Sequence, residues 1–203
     1  MADEFRLVCP NFGHEGRIPR KHCAGLHQAG TLQDIAPPLE WYNVPDGTES
    51  LALIVENVAE SPDMSQPMTH WVVANIPPTL KGLPEGFNHK KVEGKEEFGD
   101  IQEGVNDGKV PEYRGPAPNG NSVLEFRLYA LDTKVKVGKK VTRDKLVDAM
   151  EGHILGEAIL VGYGHGQEGG ESAPTQRGFV SPRFPMESQS IYHNIRAGGN
   201  FRK

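Results

Sequence analysis

Three stretches of the chain are apolar almost without interruption: Ser50 to Asn57 (SLALIVEN), His70 to Ile76 (HWVVANI) and Val123 to Leu131 (VLEFRLYAL). Runs this short, rich in β-branched and aromatic residues, predict strands covered on both faces. Weaker signals precede them. Phe5 to Cys9 alternates loosely, and Leu39-Glu40-Trp41 stands between Pro37-Pro38 and the turn Val44-Pro45-Asp46-Gly47. The stretch from Lys81 to Gly120 is polar, rich in glycine and without a period. One helix is predicted after it. Thr142 is a good N-cap, Asp144 lies in the first turn, and Leu146, Val147, Met150 and Ile154 share a face, with Gly152 ending or bending the helix. Ala158 to Tyr163 (AILVGY) reads as a last strand. Many short strands followed by one or two late helices predict a mainly β domain over residues 1–163. The expected fold is a Greek-key β-sandwich or large central sheet with one or two peripheral C-terminal helices.

The texture changes after Tyr163. Residues 164–203 begin with a Gly-rich hinge and continue as an irregular tail with scattered aromatics and arginines. Five basic residues against three acidic ones make this segment mildly basic and leave the acidic balance in the body.

Composition narrows the picture. The 24 glycines and 16 prolines make up about a fifth of the 203 residues, and only 36% are hydrophobic. They punctuate short apolar runs, as in a loop-rich β protein, and they exclude a coiled coil or a collagen-like chain. No apolar run approaches the roughly 20 residues of a membrane-spanning helix. The opening MADEFRLVCP carries acids early and no signal-peptide core. A net charge of −5 argues against a general nucleic-acid binder. Two cysteines, Cys9 and Cys23, with no N-x-S/T sequon, point to a reducing compartment, the cytoplasm. A Cys9–Cys23 disulfide is the alternative.

Few motifs carry chemistry. Gly164-His165-Gly166-Gln167-Glu168-Gly169 fits G-x-G-x-x-G, but Gly170-Glu171-Ser172-Ala173-Pro174 will not open the helix that a pyrophosphate needs, so a hinge is expected there. His22, Cys23 and His27 form the one close set of metal-ligand types. Structural zinc takes four protein ligands, so a polar loop is expected and no metal or cofactor. There is no G-x-S-x-G elbow and no P-loop. His70 heads an apolar strand. It is either a satisfied core residue or a side chain aimed into a cleft, and the core reading is favoured on the local sequence alone.

The residues also carry a family pattern. Asp34 to Asn57 (DIAPPLEWYNVPDGTESLALIVEN) and His70 to Gly86 (HWVVANIPPTLKGLPEG) resemble successive blocks of the phosphatidylethanolamine-binding protein family, in its bacterial and archaeal style. Gly104 to Asp107, Tyr113 to Pro118, Phe126 to Asp132 and Met150 to Ala158 follow in the family's order. The resemblance implies a large central sheet with a small anion pocket at one end. It implies binding of phosphate-type groups, including phospholipid heads, and regulatory rather than enzymatic action. Carried over to this sequence, the pocket falls on His70, Asn57, Ser122, Leu124, Gly115 and Pro116.

Only the histidine of the H-W-V-V block is kept. The pocket aspartate falls on Asn57, with Glu56 or Asp63 as substitutes if the register shifts. The second histidine becomes Ser122 and the tyrosine Leu124. An asparagine in place of the carboxylate leaves His70 mostly neutral near pH 7. Losing two donors to a charged ligand removes roughly 3–6 kcal/mol, or two to four decades of affinity. The expected pocket is therefore weakened. Two binding roles compete. In one, the chain is a head-group or small-molecule binding regulator. In the other it is a scaffold whose tail docks onto a larger assembly with an acidic surface, such as a cytoskeletal polymer, through Arg177, Phe179, Arg183, Phe184, Tyr192, Arg196 and Phe201. An enzyme is not expected, since acid–base work needs a second convergent group.

Overall fold

The computed structural model describes residues 3–25, 34–59, 67–117 and 121–164. Two sheets make up the fold. The larger has six strands in the order β2-β9-β8-β4-β5-β7: β2 (Gly16–Arg17), β9 (Ile154–Tyr163), β8 (Val123–Leu131), β4 (Ser50–Asn57), β5 (Met68–Ile76) and β7 (Gln102–Gly104). Its pairs are antiparallel except β2 with β9, which run parallel. The smaller sheet joins β1 (Arg6–Val8), β3 (Leu39–Tyr42) and β6 (Gly82–Leu83).

The unbroken apolar run of β4 has a direct cause: both of its faces are covered. Leu51, Leu53 and Val55 enter a large core with Trp41, Trp71, Phe126 and Tyr113. Ala52 and Ile54, on the opposite face, enter a second core with Val72, Tyr129 and Leu146. Helix α2 (Arg143–Met150) covers that second face. The Thr142 hydroxyl caps it by accepting the Lys145 N–H at 3.2 Å. Leu146, Val147 and Met150 are buried under it as the spacing predicts. Arg143, in its first turn, donates to the buried carboxylate of Glu56 at 2.8 Å, tying the helix to β4.

Several local expectations change. Ile154 is not helical. Gly152, at φ 77°, ends the helix region, and Ile154 opens β9, so the last strand starts four residues before Ala158. The stretch from Lys81 to Gly120 contributes two short strands, β6 and β7, and a one-turn helix α1 (His89–Val92), so the second helix lies mid-chain and not at the C-terminus. His22 and Cys23 are not in a polar loop. Both are buried, His22 completely. The thiols of Cys9 and Cys23 are buried, with no disulfide between them. His27, Asp63, the G-x-G-x-x-G hinge after Gly164 and every tail residue proposed for partner binding lie outside the described residues.

Candidate functional site

Strand β5 carries the irregularity from which the site is built. Its register against β4 passes from Val55–Trp71 to Glu56–Thr69 and skips His70. A bulge of this kind re-aims a side chain and frees backbone groups from the ladder. Those groups find partners in the loop between β7 and β8. The carbonyl of His70 accepts the Arg114 N–H at 3.0 Å, and the Thr69 carbonyl accepts the Asp107 N–H at 3.0 Å. The Thr69 N–H in turn donates to Asp107 Oδ2 at 2.8 Å.

His70 itself is 4% exposed. Its Nδ1 lies 2.7 Å from the carbonyl oxygen of Arg114, an acceptor only, so Nδ1 carries the proton. Its Nε2 is buried and has no hydrogen-bond partner among the described residues. Burial pushes the imidazole pKa below 6.5. The Arg114 carbonyl and the charges of Asp107 and Asp34 oppose that shift, and the Arg114 guanidinium adds to it.

His22 is the internal reference. It too is buried, and its Nδ1 lies 2.6 Å from the Ile35 carbonyl. Its Nε2, unlike that of His70, lies 2.9 Å from the Asn11 amide nitrogen. With Nδ1 as donor, Nε2 accepts from Asn11, and the ring is satisfied at both ends. Side by side, His22 is a structural core histidine and His70 is half-satisfied. Leaving a buried acceptor unpaired costs about 1–3 kcal/mol, which sets the second nitrogen of His70 apart from both nitrogens of His22.

The loop that follows Tyr113 is clamped from the N-terminal segment. Tyr113 donates its hydroxyl to the His22 carbonyl at 2.7 Å. Asp34 Oδ1 accepts the Gly115 N–H at 2.8 Å, and the Pro116 carbonyl accepts from Ala24 at 2.8 Å. Gly115 approaches so closely that a Cβ there would meet the His22 oxygen and Cys23 carbon at 2.4 Å. Only glycine fits. Ser122 is buried and lies against Gly164, whose N–H donates to the Ser122 carbonyl at 2.9 Å and whose missing Cβ would also face Pro116 at 3.6 Å.

The expected pocket residues thus separate. His70 is bonded to the loop that carries Gly115 and Pro116, and Ser122 lies against Gly164. Leu124 is fully buried in the large core. The Asn57 side chain has a structural job: its Oδ1 accepts from Ala59 and Val123, each at 3.1 Å, and closes the end of β4 onto the start of β8. Glu56 is bonded to Arg143. The sequence reading missed Asp34, Asp107 and Arg114 as neighbours of His70. All three stand inside the family blocks, but nothing in their spacing signals a contact with residue 70.

An open groove of about 800 Å³ lies elsewhere, over β3 and β6, lined by Pro38, Trp41, Tyr42, Pro78, Lys81 and Pro84. It includes none of the pocket residues. Among the described residues no three His, Cys, Asp or Glu side chains are grouped as a metal ion requires, and no helix is long and apolar enough to cross a membrane.

Comparison with known proteins gives a consistent set of similarities. The family model described as phosphatidylethanolamine-binding protein matches residues 9–164. A UPF0098 protein of Methanothermobacter thermautotrophicus is 42% identical over 154 residues, covering 74% of this chain and 92% of the relative. A UPF0098 protein of Chlamydia pneumoniae is 36% identical over 166 residues, covering 78% and 97%. Among solved structures, a protein of Chlamydia trachomatis described as a putative phosphatidylethanolamine-binding protein homolog superposes with a TM-score of 0.66 at 29% identity, over 80% of this chain and 98% of that one. Escherichia coli YbcL, described as a member of the mammalian family, gives the same TM-score at 23% identity over 81% and 100%, a likeness of fold.

Proposed function

The chain belongs to the phosphatidylethanolamine-binding protein family, and on that premise we propose that it is a non-enzymatic binding protein. It takes a small polar, head-group-sized ligand at His70 and grips phosphate more weakly than the family pattern implies. The observation that carries this reading is the buried Nε2 of His70, unpartnered among the described residues, set against the fully satisfied ring of His22. The absence of a disulfide between Cys9 and Cys23 suits a reducing compartment, and we read that compartment as the cytoplasm. The scaffold reading rests on tail residues outside those described, and nothing in the described residues favours it over the pocket.

Weak phosphate binding follows from the donors. Ser122 and Leu124 stand where the family pattern has histidine and tyrosine. The Gly115 N–H is held by Asp34, and the Asn57 oxygen is held by two backbone amides. The test is thermal unfolding of the full chain and of its His70→Ala variant with millimolar phosphorylethanolamine, ethanolamine, glycerol and inorganic phosphate. A ligand at a hundred times its Kd stabilises by about 2.7 kcal/mol, enough to raise the melting temperature by several degrees. The reading expects at least one of the four to do so in the wild type and not in the variant. No rise with any of them contradicts it.

A further inference from the structure

We infer that the group received by His70 is a hydrogen-bond donor, an ammonium or a hydroxyl, and not an ionised phosphate oxygen. The inference rests on the reading of His70 as a ligand site and adds the polarity of what enters it. Its basis is the direction of the hydrogen bonds. The Arg114 carbonyl can only accept, so the Nδ1 of His70 donates to it across 2.7 Å. In the neutral ring the other nitrogen is then a bare lone pair. That lone pair is the buried, unpartnered atom, and it points away from the Arg114 bond as an acceptor. An anionic oxygen brought against it meets repulsion unless a proton is added. A ligand N–H or O–H meets a ready partner.

The remaining polar groups agree. The Gly115 N–H is engaged with Asp34 and the Thr69 N–H with Asp107, and the position of the family tyrosine holds the apolar Leu124. The Ser122 hydroxyl is one small exception. The charged groups that act on the ring are the carboxylates of Asp107 and Asp34 and the guanidinium of Arg114. Among the described residues that guanidinium has no hydrogen bond or ion pair, and it lies over Gly108, on the exposed surface of the loop. Two carboxylates against one exposed guanidinium favour a cationic or neutral donor. Burial acts in the same direction, since it favours the neutral ring.

The experiment reads the ring nitrogens directly. In a two-bond ¹H–¹⁵N correlation spectrum of the ¹⁵N-labelled full chain at pH 7, pyrrole-type and pyridine-type nitrogens separate, and His70→Ala assigns the His70 pair. The free protein should show a protonated Nδ1 and a pyridine-type Nε2. Ethanolamine or glycerol should then shift Nε2 saturably while it stays pyridine-type, and ethylammonium, which has no hydroxyl, against glycerol distinguishes ammonium from hydroxyl. Asp107→Asn keeps an oxygen for the Thr69 N–H and removes one negative charge. It should weaken ethanolamine binding by roughly threefold to tenfold without weakening phosphate. A free-state Nε2 that carries a proton overturns the inference. So does phosphate binding more tightly than either donor with Nε2 becoming protonated, an outcome that leaves the ligand site itself standing. If none of these compounds moves the His70 signals, the ligand-site reading fails and takes the inference with it.

Discussion

Asp34 holds Gly115: its Oδ1 accepts the glycine N–H at 2.8 Å across 81 positions of sequence. This bond pins the loop that supplies the Arg114 carbonyl, and through that carbonyl the orientation of His70. Asp34→Ala leaves the buried Gly115 N–H without its acceptor and should cost about 1–3 kcal/mol. Asp34→Asn keeps an acceptor oxygen and should cost less than half as much. Urea unfolding midpoints of the two variants check the order.

Gly115→Ala should be worse than either. Its Cβ would fall 2.4 Å from the His22 oxygen and the Cys23 carbon and 2.6 Å from the Ala24 nitrogen, all backbone atoms with no rotamer to yield. Overpacking of this kind costs about 1–3 kcal/mol or more, and the upper end is expected. Gly13→Ala, with open space around the new carbon, serves as the neutral control. Equal midpoints for the two variants would contradict the packing argument.

The two buried histidines set a pH dependence. Burial holds the pKa of both His22 and His70 below 6.5 in the folded chain. In the unfolded chain they titrate at the ordinary value, so below about pH 6.5 the unfolded state takes up protons that the folded state does not. Stability therefore falls as pH drops from 6.5 toward the folded values, and is flat in these groups above 7. Unfolding free energy measured at pH 7.5, 6.5 and 5.5 should decline in that order. His70→Gln should flatten the decline in part. A steeper decline in that variant would contradict the assignment.

Glu103 joins Trp71 to α1. One carboxylate oxygen accepts the indole N–H at 2.7 Å, and the other accepts the backbone N–H of His89 at 2.9 Å and lies 2.7 Å from its Nδ1. The side chain is fully buried. Glu103→Gln turns an amide NH₂ toward one of these donors, and should cost about 1.5–3 kcal/mol. Trp71 packs edge-on against Tyr113, with ring centroids 5.5 Å apart, next to Arg114. The variant should thus shift tryptophan fluorescence and weaken ligand binding at His70 together.

The strands that matter most were legible because their cause is local. β4, β5 and β8 lie between two cores, and a strand covered on both faces is mostly apolar, its few charges (Glu56, Glu125, Arg127) held in ion pairs. β2, β6 and β7 were not legible, because two or three residues carry no period. The burial of His22 escaped for another reason. It sits in the polar run Pro19-Arg20-Lys21-His22, and what makes burial tolerable is remote: the Ile35 carbonyl and the Asn11 amide. The site was half legible. The family pattern pointed to His70 and to the loss of its usual companions. The bulge that skips His70, and the gathering of Asp34, Asp107 and Arg114 beside it, depend on register and loop path, which no spacing in the sequence encodes.

The most direct test of the central claim is where a ligand binds. Backbone amide shifts of the ¹⁵N-labelled full chain should be followed during separate titrations with phosphorylethanolamine, ethanolamine, glycerol and inorganic phosphate. A site at His70 predicts saturable shifts at Thr69, His70, Arg114, Gly115, Ser122 and Gly164, with Tyr42, Lys81 and Gly82 in the groove over the smaller sheet unmoved. Shifts confined to that groove, or no shifts at all, would contradict it.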